Sequence, residues 1–234
     1  MTGRGPILDR PLEPAWLDAA LRVARETRDL DEVRSRLQLT LGDSGLGTAA
    51  RVKTITALVR TWADPHEASA AAVCWAREVL ADEEDLRAVH FGALIAAYPF
   101  FGDVCATVGR VLALEERVTT PDVRARIRSS WGDRRTVHNA VQRAIKTLRA
   151  FELLTGDPGS SLSHRAERLI VSPRAGRWIA HTLLLSRGAE SIDEHDLRTA
   201  PELFGLRLPE RLDNGYVLVE RHREGGGRTV LAVV

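Results

Sequence analysis

Arg135, Asn139, Gln142, Lys146 and Arg149 follow one another at spacings of four, three, four and three residues. At 3.6 residues per turn those steps stack all five side chains along one stripe of a helix. Arginine bonds guanine edges and carboxamides bond adenine edges bidentately, while lysine and peripheral arginine neutralise phosphates. Cations interleaved with amides are the side chains a helix lying in a DNA groove needs. The opposite face is as regular, because Val137, Val141, Ala144, Leu148 and Phe151 recur at three- and four-residue spacing and give the helix a side to bury. No Glu stands four residues before any Lys or Arg of this segment, so helical ion pairs do not solubilise the stripe.

The elements around this stripe also suit a DNA-binding unit. A preceding helix over residues 120–130 ends at Gly132, so a short turn joins the two helices. Its Arg124 and Arg128 lie one turn apart and, with Arg134 in the turn and Arg143 on the second helix, are candidates for flanking phosphates. Between residues 120 and 150 eight basic residues face two acids, although the whole chain carries a net charge of only +1. Charge is thus segregated along the chain, and the acidic run Asp82-Glu83-Glu84-Asp85 supplies part of the balance. A Gly/Ser/Pro turn over 155–161 followed by the β-prone run Arg168-Leu169-Ile170-Val171 predicts a wing. Together these features predict a winged helix-turn-helix over 119–172 that binds double-stranded DNA. The alternatives are an ordinary solvated helix face on a protein-interaction scaffold, and a transcriptional regulator. RNA is less suited, since the segment lacks aromatic stacking platforms.

The rest of the chain reads as mainly helical. Helices are expected after Pro14, from about Leu30, from Thr48 to Trp62, two or three times between Glu67 and Glu116, and from the cap Ser172-Pro173 to about Ser186. Pro99 and the pair Gly102-Asp103 are expected to break the middle region. Residues 31–62 and 121–151 repeat the order helix, glycine-centred turn, helix, with Asp-Glu-Val-Arg-Ser-Arg-Leu facing Pro-Asp-Val-Arg-Ala-Arg-Ile. Residues 1–13 read as a loose leader. A short helix over 193–198 and a β-hairpin, with strands at 216–219 and 229–233 around Gly225-Gly226-Gly227, close the chain. The expected fold is a helical bundle with winged helix-turn-helix units and a small C-terminal β-hairpin. Its segments are an N-terminal unit (1–64), a helical middle (65–118), the winged unit (119–190) and a C-terminal extension (191–234).

Catalytic signals are weak. The seven histidines show no paired metal spacing, no Ser or Cys sits in a nucleophile motif, and Asp193-Glu194-His195-Asp196 reads as a capped helix start. Neither enzymatic activity, a metal nor a cofactor is expected. The apolar run 88–101 is too short to span a bilayer, and Cys74 and Cys105 have no pairing or metal spacing, so a cytoplasmic protein with no membrane partner is expected.

Taken in order, the elements resemble the BrxA family of the BREX bacteriophage-exclusion systems. The resemblance lies in the helical unit with a basic helix over 45–62, the Ala/Leu-rich middle ending at Phe100-Phe101-Gly102-Asp103-Val104, the helix from Arg135-Thr136-Val137 to Leu148, the edge Leu153-Leu154 and the run Leu169-Ile170-Val171-Ser172-Pro173. It covers residues 30–185, and the tail after Glu190 has no counterpart. It implies winged-helix-like units, DNA binding, and an accessory role in phage defence beside other defence subunits.

Overall fold

Proline and capping residues set where the helices begin. The computed structural model describes residues 6–234. Pro14 opens α1 (Pro14–Glu26), and Asp29 caps α2 (Leu30–Thr40) by accepting from the N–H groups of Asp31 and Glu32. Gly47 occupies the capping position of α3 (Thr48–Trp62). These three helices pack on one another, followed by α4 (Glu67–Val79), α5 (Arg87–Ala97) and α6 (Pro99–Leu114). Pro99 ends α5 and starts α6, with a 117° bend between the two axes. Gly102-Asp103 breaks nothing and lies inside α6. No single helix is long and apolar enough to cross a membrane.

From α6 the chain forms β1 (Arg117–Thr119), α7 (Thr120–Trp131), α8 (Arg135–Ala150), β2 (Leu154–Thr155) and β3 (Leu162–Arg165). These strands make an antiparallel sheet in the order β1-β3-β2, with Val118 opposite Ser163 and Thr155 opposite His164. The returning strand of this hairpin is therefore 162–165. The run 168–171, expected there, instead contributes β4 (Leu169–Ile170), which lies parallel to a strand far along the chain. Ser172 then caps α9 (Pro173–Arg187), its hydroxyl accepting from Ala175 N–H at 3.1 Å.

The last segment comprises β5 (Ser191–Asp193), α10 (Glu194–Thr199), a 3-10 turn (Pro201–Leu203), β6 (Leu206–Arg207), β7 (Val219–Arg223) and β8 (Thr229–Val233). A hairpin forms as expected, but its first strand begins at Val219, and β5 joins it in the order β5-β8-β7. The order helix, strand, capped helix, hairpin thus occurs twice, from α6 to β3 and from α9 to β8. In both, the last strand is central. The second occurrence replaces the long α8 by the 3-10 turn, β6 and irregular chain.

One continuous core, running from Leu8 to Leu231, joins all four segments. Helices α5 and α9 cross at its centre, where Gly92 lets Trp178 approach so closely that a Cβ would stand 2.6 Å from its ring. Helix α6 packs on both α7 and the 3-10 turn. The leader is not loose over its described part. Leu8 and Leu12 are fully buried, and Leu12 N–H donates to the buried Thr147 hydroxyl at 2.9 Å. Residues 1–5 lie outside the described residues.

Candidate nucleic-acid interface

Local chemistry fixes the two helices that carry the basic stripe. Thr119 caps α7, Pro121 stands in its first turn, and Val123, Ile127 and Trp131 bury one face. Gly132 ends it with φ +84°, a backbone that side-chain-bearing residues rarely adopt. The chain re-enters as α8, where Val137, Ala140, Val141, Ala144, Ile145 and Leu148 are buried. The outer face is left to polar residues, with Arg135, Gln142 and Lys146 exposed and Asn139 half-buried.

The hairpin beyond α8 is fastened to both helices. Thr120 N–H donates to the Ser161 carbonyl at 2.9 Å. Arg149 is turned into the hairpin: its guanidinium donates to the carbonyls of Asp157, Ser160 and Leu162 at 3.3, 3.0 and 2.6 Å. The same group reaches the Ser163 hydroxyl at 3.1 and 2.8 Å through Nε and Nη2. Expected to face a groove, Arg149 instead braces the turn, because the last turn of α8 lies against carbonyls that need donors.

Between the hairpin, the start of α7 and the face of α8 lies a cleft of about 360 Å³, lined by Arg124, Gln142, Lys146 and Arg149 with Ser160 and Ser161. Arg124, one of the lining residues, has its Nε buried with no hydrogen-bond partner among the described residues. No protein-family model, no curated protein and no solved structure matches the chain. Its site is therefore read from its own residues.

The other expected site residues divide. Arg128 lies 3.6 Å from Asp133, whose other oxygen is 2.6 Å from His138 Nε2, so this carboxylate is shared at the turn. Arg134 reaches the Trp131 carbonyl at 3.5 Å. Arg143 is half-buried on another side of α8, 4.0 Å from Asp9 of the N-terminal strap, and does not join the cleft. Among the described residues, Arg124, Arg135 and Lys146 have no carboxylate within ion-pairing distance. The cleft wall of Ser160 and Ser161 was not singled out from the sequence; its Gly/Ser composition signals a turn, not a site. No group of three or more potential metal ligands occurs among the described residues.

Proposed function

We propose that this chain is a non-enzymatic double-stranded DNA-binding protein and that α6 to β3 form its winged helix-turn-helix. In this reading α8 enters the major groove with Arg135, Asn139 and Gln142 toward base edges, while Lys146 and Arg124 neutralise phosphates and the hairpin is the wing. The observation that carries it is the exposed face of α8, where cations stand without acidic partners beside the fastened hairpin and a cleft lined by Arg124, Gln142 and Lys146. An ordinary solvated helix face would pair such charges with nearby acids. The role of accessory protein in a BREX-like phage-defence system is part of the proposal and rests on the resemblance of residues 30–185 to the BrxA family.

The test is fluorescence anisotropy with a labelled duplex over a salt series. Each neutralised phosphate lowers the logarithm of affinity by about 0.9 per decade of salt, so the two contacts assigned to Lys146 and Arg124 give a slope of about −1.8. A slope near zero, or equal binding by an uncharged polymer, rejects the reading. The defence role is tested separately, by phage plating on cells that carry the neighbouring genes with and without this one.

A further inference from the structure

A second surface has the opposite character. A groove of about 1000 Å³ runs between the segment leading into α5, the turn after α8, and β4. Its floor is apolar, with Ala88, Val89 and Ala175 among its lining residues.

One wall is an open strand edge. The N–H groups of Leu169 and Val171 donate to the carbonyls of Gly205 and Arg207 at 2.9 and 3.0 Å, which ties β4 to β6. Backbone groups of an extended strand alternate in direction, so the N–H and C=O of Ile170 point away from β6, and Ile170 is among the residues lining the groove. No described residue bonds them. The Ile170 side chain is 77% exposed between buried Leu169 and Val171. Exposed, unpaired strand edges are templates for added strands, and folds usually cover them.

The charge of the groove identifies what completes the edge. Five carboxylates line it against two arginines, Arg87 and Arg168. Arg87 is already held by Asp85 at 2.7 Å and by Glu152. Glu83, Glu84 and Glu167 have no cation within ion-pairing distance among the described residues. A nucleic acid is repelled by such a surface, whereas a Lys- or Arg-bearing peptide is attracted. Ile170 offers an apolar contact to alternate side chains of the same peptide.

We propose that this groove binds an extended basic segment of a partner protein, which adds as a strand to the free edge of β4. Main-chain hydrogen bonds to Ile170 would set its register, and Glu83, Glu84 and Glu167 would select its charge. The inference does not depend on DNA binding.

Anisotropy with a labelled, end-capped peptide of alternating valine and lysine tests it, with the valine/glutamate peptide as comparator. Ile170→Pro removes the outward N–H together with the apolar Ile170 contact, and leaves the bonds that Leu169 and Val171 N–H donate toward β6 in place. It is expected to weaken binding about tenfold, as is N-methylation of the peptide backbone, which removes the reciprocal bond, from a peptide N–H to the Ile170 carbonyl, on the unaltered protein. The double variant Glu84→Lys/Glu167→Lys is expected to weaken it by a similar factor and leave duplex DNA affinity unchanged. Equal binding of the two peptides overturns the proposal. So does indifference to both Ile170→Pro and N-methylation, or self-association of the chain through this groove that the peptide does not reverse.

Discussion

Arg149 on α8 and Ser163 on β3 share two hydrogen bonds, from Nε at 3.1 Å and from Nη2 at 2.8 Å, to a single buried hydroxyl oxygen. With three carbonyls on the same guanidinium, one side chain fixes how the hairpin sits against the helix. Arg149→Leu keeps an apolar stem and removes every one of these bonds. A loss of about 1–3 kcal/mol is expected, lowering Tm by about 2–4 °C per kcal/mol for a chain of this size. Amide exchange in the turn between β2 and β3 should accelerate. A variant with unchanged Tm and a salt slope reduced by one contact would instead mean that Arg149 reaches DNA.

Arg135 and Lys146 make no comparable internal contacts. Charge reversal in Arg135→Glu/Lys146→Glu should therefore leave stability within about 0.5 kcal/mol. Duplex affinity should fall at least tenfold, and the salt slope should lose about 0.9 for each phosphate contact removed. Arg211→Glu/Arg223→Glu, at two exposed positions away from α8, is the charge-matched control and should leave affinity unchanged. Equal losses from the two variants would point to general charge and not to α8.

The contrast between Arg149 and Lys146 also marks what can be read from sequence. Periodicity assigns directions around a helix axis, so both fell on one stripe, and the buried face of α8 was read correctly from the same rule. What stands beside the stripe is set by distant chain: the hairpin claims Arg149, and Asp9 of the strap approaches Arg143. Caps are local, which is why Ser172-Pro173 and Asp193 were legible as helix starts. Strand pairing is not local. Leu-Ser-His-Arg at 162–165 is too polar to announce a strand, and the more β-prone 168–171 finds its partner only at Leu206 and Arg207. Leu8 and Leu12 lie in a Pro-containing stretch without helical period, so nothing in the sequence announced that they would be buried.

Acid should destabilise the fold in a defined window. Burial pushes His181, 2.5 Å from the Tyr216 hydroxyl, down to about 4 from an ordinary 6.5. Burial also lowers His90, outweighing the opposing pull of Asp18 at 2.8 Å. The unfolded chain therefore takes up protons that the folded chain excludes. Stability is fully present above the unfolded value near 6.5 and is lost as the pH falls from there toward about 4 for His181. Urea midpoints should be flat from about pH 7 to 8 and decline below about 6.5. His90→Gln/His181→Gln should flatten that decline. An unaltered decline in the double variant would assign it to other groups.

Gly109 joins the C-terminal segment to the centre of the molecule. A Cβ there would stand 2.0 Å from the Pro201 carbonyl oxygen, 2.8 Å from its carbon and 3.0 Å from Phe204 Cβ. Since the obstacle is mainly backbone, no rotamer change relieves it, and Gly109→Ala must push the 3-10 turn away from α6. A loss of about 2–3 kcal/mol is expected, read as a lowered urea midpoint. The turn leads directly into β6, so the strain passes to its pairing with β4. Hydrogen exchange at Leu169 and Val171 should accelerate more than exchange in α8, which packs mainly on α7. A normal midpoint together with protected Leu169 and Val171 amides would show that α6 and the turn can separate without disturbing β4.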